Sequence, residues 1–258
     1  MLMRHQVRNK EQGFDMAACE SAMSVNIAAL REVSDRYLRW TLSLFPFMPG
    51  MRILDLGSGP GFYLESLMAY QPRSYCAADA SSDFLEHIAR LAKGRLDCQT
   101  IRLDLTDGRS PDMLRGNAFD AVLCFDVLEH ISDDQQALAQ IRTILLITGR
   151  GQLFLRVPAL SCIYGQNDRA IGHYRRYSLR ALKRLLRENG FMVRRAGYQN
   201  ALGVLPWWVI GRVLKRNLAV SSREGKFFDA LVPALQFVER SVSPPFGLSL
   251  YAVADAST

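Results

Sequence analysis

The chain is short of the residues that build metal centres and disulfide frameworks. It has four histidines (His5, His87, His130, His173) and five cysteines in 258 residues. The cysteines, Cys19, Cys76, Cys98, Cys124 and Cys162, are scattered, odd in number and never spaced C-x-x-C. That pattern argues against a zinc site and against a disulfide scaffold. Cys76 and Cys124 stand inside apolar runs, where cysteine acts as a small apolar residue. Apolar runs of the roughly 20 residues that a membrane span needs are missing. The N-terminus lacks a long apolar stretch with a cleavage site, so no secretion leader is expected. A reducing, cytoplasmic setting is the expectation. Internal repeats and low-complexity tracts are absent too. With 49% hydrophobic and 22% charged residues, the composition suits a sizeable core and excludes a disordered chain.

Acidic residues are scarce in one stretch. Residues 1–141 hold 14 Lys/Arg and 19 Asp/Glu, whereas residues 142–226 hold 17 Lys/Arg and only 3 Asp/Glu. The overall charge of +7 therefore comes from the second half. A basic face of this kind draws an anionic small molecule, a nucleic acid or a membrane surface. Arg180, Lys183, Arg184 and Arg187 recur at helical spacing, so a solvated helix face explains those four equally well. Arg169, Arg175 and Arg176 fall in a loop-like stretch and favour a functional role.

What is present is an ordered series of strand-end signals. Met51–Leu56 is an apolar run containing Asp55, followed by Gly57-Ser58-Gly59-Pro60-Gly61 and then residues of helical spacing. That reads as strand, tight turn and helix. The glycines permit positive φ and a close ligand approach, and the helix aims its first N–H groups over the turn. The strand Tyr75–Asp79 ends in an acid about 20 residues past the turn, where a ribose-binding carboxylate belongs. Ile101–Leu105 carries Asp104, and Phe119–Phe125 leads into Asp126-Val127-Leu128-Glu129-His130. Strands are predicted over 51–56, 74–79, 98–103, 119–125, 151–157, 191–197 and 247–254. Helices are predicted over 15–45, 61–70, 82–93, 133–147 and 178–189. This alternation implies a mostly parallel sheet with helices on both faces. Ser81 or Ser82 is expected to cap the 82–93 helix and Ser178 the 178–189 helix. Asp133 and Asp134 are read as favouring a helix N-terminus rather than holding a metal, and no metal site is expected.

These motifs resemble those of class I S-adenosylmethionine (SAM) dependent methyltransferases. GMRILDLGSGPGF is similar to that family's first motif, Asp79 to its second, LDLTD to its third and FDAVLCFDVLEHI to its fourth. Residues 165–200, with GHYRRY, and residues 200–253 resemble a bacterial subgroup associated with small-molecule and sugar modification. The resemblance implies a seven-stranded, doubly wound Rossmann-like sheet with its last strand antiparallel. It also implies N-terminal helices over 1–48 capping a methyltransferase domain over 49–258, with a helical insertion at about 203–243. The 15–45 helix either covers the ligands or packs on the sheet edge.

For the cofactor, SAM with S-adenosylhomocysteine as product, the resemblance assigns Asp55, Gly57, Ser58, Gly59 and Gly61 to the methionine portion. Asp79 is assigned to the ribose, Ala80, Asp104 and Leu105 to the adenine, and Phe125 and Asp126 to the floor under the methyl group. Methyl transfer is a direct displacement, so alignment and water exclusion carry most of the catalysis. A hydroxyl or ammonium acceptor additionally needs a base. His173 and His130 are the candidates, with a purely structural role for His130 left open. Tyr174 and Tyr177 could position the acceptor, and Arg175 or Arg176 an anionic group on it. Trp207 and Trp208 could line a substrate pocket, dock on lipid or sit in the core. The expected acceptor is an O or N atom of a small molecule. Nucleic acid is not expected as a partner, and peripheral membrane contact is left open. RNA methylation and a non-catalytic SAM-binding scaffold are the alternatives, and a nicotinamide oxidoreductase ranks last because the glycine spacing differs from G-x-G-x-x-G.

Overall fold

The computed structural model describes residues 35–149, 151–209 and 222–257. Most of the expected 1–48 cap and the middle of the expected 203–243 insertion lie outside the described residues. The strands are β1 (Arg52–Leu56), β2 (Ser74–Asp79), β3 (Cys98–Arg102), β4 (Ala121–Phe125), β5 (Gln152–Pro158), β6 (Phe191–Gln199) and β7 (Ser249–Ala256). The helices are α1 (Asp35–Leu42), α2 (Leu64–Met68), α3 (Ser82–Ala92), α4 (Ser110–Met113), α5 (Asp134–Ile147), α6 (Gln166–Ala170), α7 (Leu179–Glu188), α8 (Val204–Trp208) and α9 (Ser222–Val242). The short helices α4 and α6 add to the expected set, and α6 places Arg169 on a helix rather than in a loop.

One seven-stranded sheet runs in the order β3-β2-β1-β4-β5-β7-β6. Strands β1 to β5 pair in parallel, and β7 runs antiparallel between β5 and β6. This is the expected doubly wound methyltransferase sheet. The period-2 alternation of the strands divides the core in two. Ile53, Ala121, Leu123, Phe125 and Phe154 point to one face, against Leu42, Phe45, Leu64, Leu67 and Ile88. Leu54, Leu56, Val122, Cys124, Leu153 and Leu155 point to the other, against Ala137, Leu138, Ile141, Leu182 and Leu186. Parallel strands covered on both faces read as continuous apolar runs, as these do.

Local chemistry sets the helix ends. The Ser81 hydroxyl accepts from the Phe84 N–H at 3.5 Å, Asp133 from Gln136 at 2.9 Å and Ser178 from Ala181 at 3.2 Å. On α7, Leu182 and Leu186 are fully buried one turn apart, while Arg180, Arg184 and Arg187 are exposed. Trp40 of α1 is buried, and α9 packs on α1 through Arg36–Asp229 at 3.7 Å and Gln236–Ser43 at 3.1 Å. Strand order reverses between β1 and β4, so the loops after those two strands open the crevice where open α/β sheets bind ligands.

Candidate functional site

Two structures face each other at that crevice. The first is the glycine turn after β1. Gly57 and Ser58 donate their N–H groups to the Ala78 carbonyl of β2 at 2.7 and 3.2 Å. Gly57 has φ +69°, and a Cβ there would lie 2.4 Å from a Val127 methyl in the loop after β4. Only glycine satisfies both the dihedral and the contact. Asp79 ends β2 and accepts from the Gly59 N–H at 2.8 Å and the Ser81 N–H at 2.9 Å. One carboxylate thus ties the turn to the start of α3. Burial pushes its pKa upward, against these backbone donors. Each of its oxygens retains a further lone pair for a ligand hydroxyl. Asp55 is buried under the turn, where Tyr75 donates to it at 2.6 Å, and loss of solvent raises its carboxyl to about 7.

The remaining cofactor candidates are spread along the same edge. Ala80 sits half-buried between Asp79 and Ser81, its carbonyl 3.3 Å from the Arg102 Nε. Asp104 is exposed and accepts from the Thr106 N–H and hydroxyl at 2.8 and 2.7 Å. Leu105 is buried, and its carbonyl accepts from Gln140. The Ser58 hydroxyl is buried without a partner among the described residues. Phe125 is buried against Tyr63 and Phe45, with ring centroids 5.1 and 4.8 Å away. Asp126 follows it in the left-handed region at φ +56°, strained for a non-glycine residue. The Arg156 guanidinium holds the Asp126 carboxylate and also donates to Tyr37 at 3.0 Å and Ser249 at 2.9 Å.

The second structure lies beyond Asp126. A 3₁₀ turn, Leu128–His130, buries Glu129 completely. Among the described residues, neither Glu129 oxygen has a hydrogen-bond partner. Desolvation and the nearby Asp126 carboxylate raise its pKa well above the usual range. The segment 165–177 folds against this turn, and the Tyr174 N–H donates to the Glu129 backbone carbonyl at 2.7 Å. It brings His173 beside His130, ring centroids 4.7 Å apart and edge to face. The His173 Nε2 is 3.8 Å from the Glu129 Oε1, and its Nδ1 is 3.2 Å from the Asp168 Oδ1. Burial and the neighbouring His173 lower the His130 pKa to about 4, so this imidazole is neutral at pH 7.

The two arginines of HYRRY have partners inside the protein. Arg176 is buried, donating to Asp168 at 2.6 Å and to the Ala159 carbonyl at 3.0 Å. Arg175 pairs with Asp134 at 2.8 Å. Tyr177 is buried and donates to the same Asp134 at 2.8 Å. Tyr174 is exposed, with the Arg175 guanidinium 5.9 Å from its ring centre. Trp207 lies under Arg176 at 4.7 Å, and Trp208 is exposed. The structure therefore gathers His130, His173 and, through Arg176, Trp207 around one cluster. It holds Tyr177 and Arg175 one step away, on Asp134.

Sequence reasoning gave no role to Glu129, Asp168, Arg156 or Tyr75. Glu129 was visible in VLEHI and Asp168 in the 165–177 segment, but nothing local signals that they meet. Nor did the spacing disclose a metal-ligand set, although Glu129, His130 and His173 offer ligand atoms within 4.8 Å of one another.

A doubly wound sheet with a glycine turn and an acid at the end of β2 defines an α/β protein whose switch-point crevice is the place where such sheets bind ligands. Its family is explicit in the sequence: a profile described as a methyltransferase domain matches residues 29–196, and the chain belongs to that family. A comparison with curated proteins finds no match. Among solved structures, it is similar to a chain from a Haloferax volcanii complex between the Trm112 methyltransferase activator and a methyltransferase. That match has 18% identity and TM-score 0.61, covering 98% of this chain and 100% of the other. It is similar to an S-adenosylmethionine dependent methyltransferase from Mesorhizobium loti, with 14% identity, TM-score 0.54, and 83% and 95% of the two chains covered. It is also similar to the [4+2]-cyclase SpnF, with 17% identity, TM-score 0.56, and 87% and 81% covered. The described helices include none long and apolar enough to cross a membrane.

Proposed function

We propose that the protein is a SAM-dependent methyltransferase acting by direct displacement on an O or N atom of a small, anionic or sugar-like molecule, with S-adenosylhomocysteine as product. The observation that supports this best is Asp79. It holds the Gly59 N–H and the start of α3 at the end of β2 and retains further acceptor capacity, which a ribose diol could use. The turn at 57–61 then receives the methionine portion, with Asp55 and Ser58 beneath it. Ala80, Asp104 and Leu105 border the adenine, and Phe125 and Asp126 floor the methyl group. His130 and His173 stand on the acceptor side, beyond Asp126. Because Arg175 and Arg176 already carry internal partners, the outer face of α7 is the freer anion-attracting surface.

A second reading, cofactor binding with a different outcome, is favoured by one observation: a neighbour of this fold is named a cyclase. Calorimetric titration with SAM, S-adenosylhomocysteine and NAD separates the possibilities. Micromolar binding of both SAM-type ligands and none of NAD is expected. Binding of NAD, or of none of the three, would reject the cofactor reading. Cofactor binding without methyl release across hydroxyl and amine acceptors would favour the second reading.

A further inference from the structure

We propose that Glu129, His130 and His173 form a binding site for one first-row divalent cation such as Zn2+ or Mn2+. Three observations carry it. The first is the donor set, two imidazoles and one carboxylate with ligand atoms within 4.8 Å of one another. Mixed nitrogen and oxygen donors of this kind suit first-row divalent ions better than Mg2+ or Ca2+. The Glu129–His173 separation of 3.8 Å is spanned by one ion with bonds of about 2.1 Å at a wide angle.

The second is the unmet need of Glu129. Its side chain is 1% exposed, and both oxygens lack a hydrogen-bond partner among the described residues. Burying a carboxyl group without a hydrogen-bond partner is costly, and a bound cation would supply the partner. The third is the outer ring of contacts. Ligating histidines characteristically donate their other ring nitrogen to a carboxylate or backbone carbonyl. Here Asp168 lies 3.2 Å from the His173 Nδ1, which leaves Nε2 turned to Glu129. Asp168 is in turn fixed by Arg176 and by the Gly165 N–H at 2.8 Å.

Three protein ligands leave open positions on the ion. Placing those positions beside the methyl acceptor, where a bound hydroxyl would lose its proton more readily, rests on the methyl-transfer reading. The cation site itself does not.

The test titrates the chelator-treated full chain with Zn2+, Mn2+ and Mg2+ in turn by calorimetry, with SAM titrated separately on the same sample. One equivalent of Zn2+ or Mn2+ should bind, with Mg2+ much weaker. Glu129→Gln and His173→Ala each remove a direct ligand and should weaken binding by more than the roughly 10- to 100-fold that loss of an outer-shell partner costs. Lack of stoichiometric uptake by the wild type, or unchanged affinity in both folded variants, overturns the site. Should the variants misfold, the wild type still decides through its imidazole 15N resonances. On Zn2+ addition those of His130 and His173 should shift while those of His5 and His87 stay. Shifts confined to the latter pair overturn the proposal. SAM binding without cation uptake removes the cation site alone, and cation uptake without SAM binding removes the cofactor reading alone.

Discussion

The two sides of the crevice are built on opposite principles. The β1–β2 side is backbone architecture: N–H groups of residues 57–59 and 81 converge on the Ala78 carbonyl and the Asp79 carboxylate. Its contacts join neighbouring strands, and one acid organises it. The β4–β5 side is side-chain architecture: the side chains of Glu129, Asp168, His173 and Arg176 are each at most 9% exposed, with His130 half-buried beside them. Backbone contacts persist whatever the neighbouring side chains are, provided that the glycines stay. A buried ionic cluster depends on every member, because removing one leaves another charged and unpaired. The first side should therefore fail in ligand binding and the second in folding stability.

The largest expected effect falls on the first side. Asp79→Ala removes the acceptor for two ribose hydroxyls and frees the turn from α3. Hydrogen bonds to a charged group are worth roughly 1.5–3 kcal/mol each, so SAM affinity should fall more than about 100-fold. Calorimetry on the variant checks it, with urea unfolding as the control for stability. Wild-type affinity would reject the assignment of Asp79 to the ribose.

Next in size is Asp168→Ala. It strips the Arg176 guanidinium, 1% exposed, of its hydrogen-bonded carboxylate and releases His173. Breaking a buried ion pair from one side costs about 3–5 kcal/mol of stability. Urea unfolding should register that loss, while the surviving folded fraction should keep wild-type SAM affinity. Equal stability of variant and wild type would show that the cluster is more hydrated than its geometry implies. A parallel loss of SAM affinity would show that the two sides are coupled.

The same contrast explains what was legible in the sequence. The turn after β1, the acid ending β2 and the β4 run are local patterns, and each becomes the expected element within a few residues of its expected bounds. The β7 strand placed between β5 and β6 followed from family resemblance, since no local pattern dictates an antiparallel insertion. The second side was legible only in fragments. VLEHI and GHYRRY each carry a distinctive pattern, yet the long helix α5, the strand β5 and the short helix α6 lie between them in the chain. The arginines illustrate this. Read as a basic loop, Arg175 and Arg176 suggest an anion site. Folded, each meets an acid, Asp134 or Asp168, that segment composition alone does not pair with it. Leu160, at φ +63° just after β5, donates its N–H to the Tyr177 carbonyl at 2.9 Å, and a leucine gives no warning of that dihedral.

The smallest effect sharpens the comparison on the cofactor side, where one acid departs from the backbone rule. Among the described residues Asp55 is buried and accepts from the Tyr75 hydroxyl at 2.6 Å, and its carboxyl is raised to about 7 by loss of solvent. An acid whose folded pKa lies above its unfolded value of about 3.9 keeps a proton that the unfolded chain has already released. Between about pH 4 and 7 the folded state thus binds more protons, and stability falls as pH rises through that window. The slope from this group is at most about 1.4 kcal/mol per pH unit and vanishes above the window, where Asp55 is ionised in both states. Asp55→Asn keeps an acceptor for Tyr75 and cannot titrate, so its unfolding free energy should run flatter across the window than that of the wild type. Urea melts at pH 4.5, 6 and 7.5 measure the difference. Identical slopes would mean that the Asp55 carboxyl titrates as a solvated acid, and that water or a neighbouring donor reaches it beneath the turn.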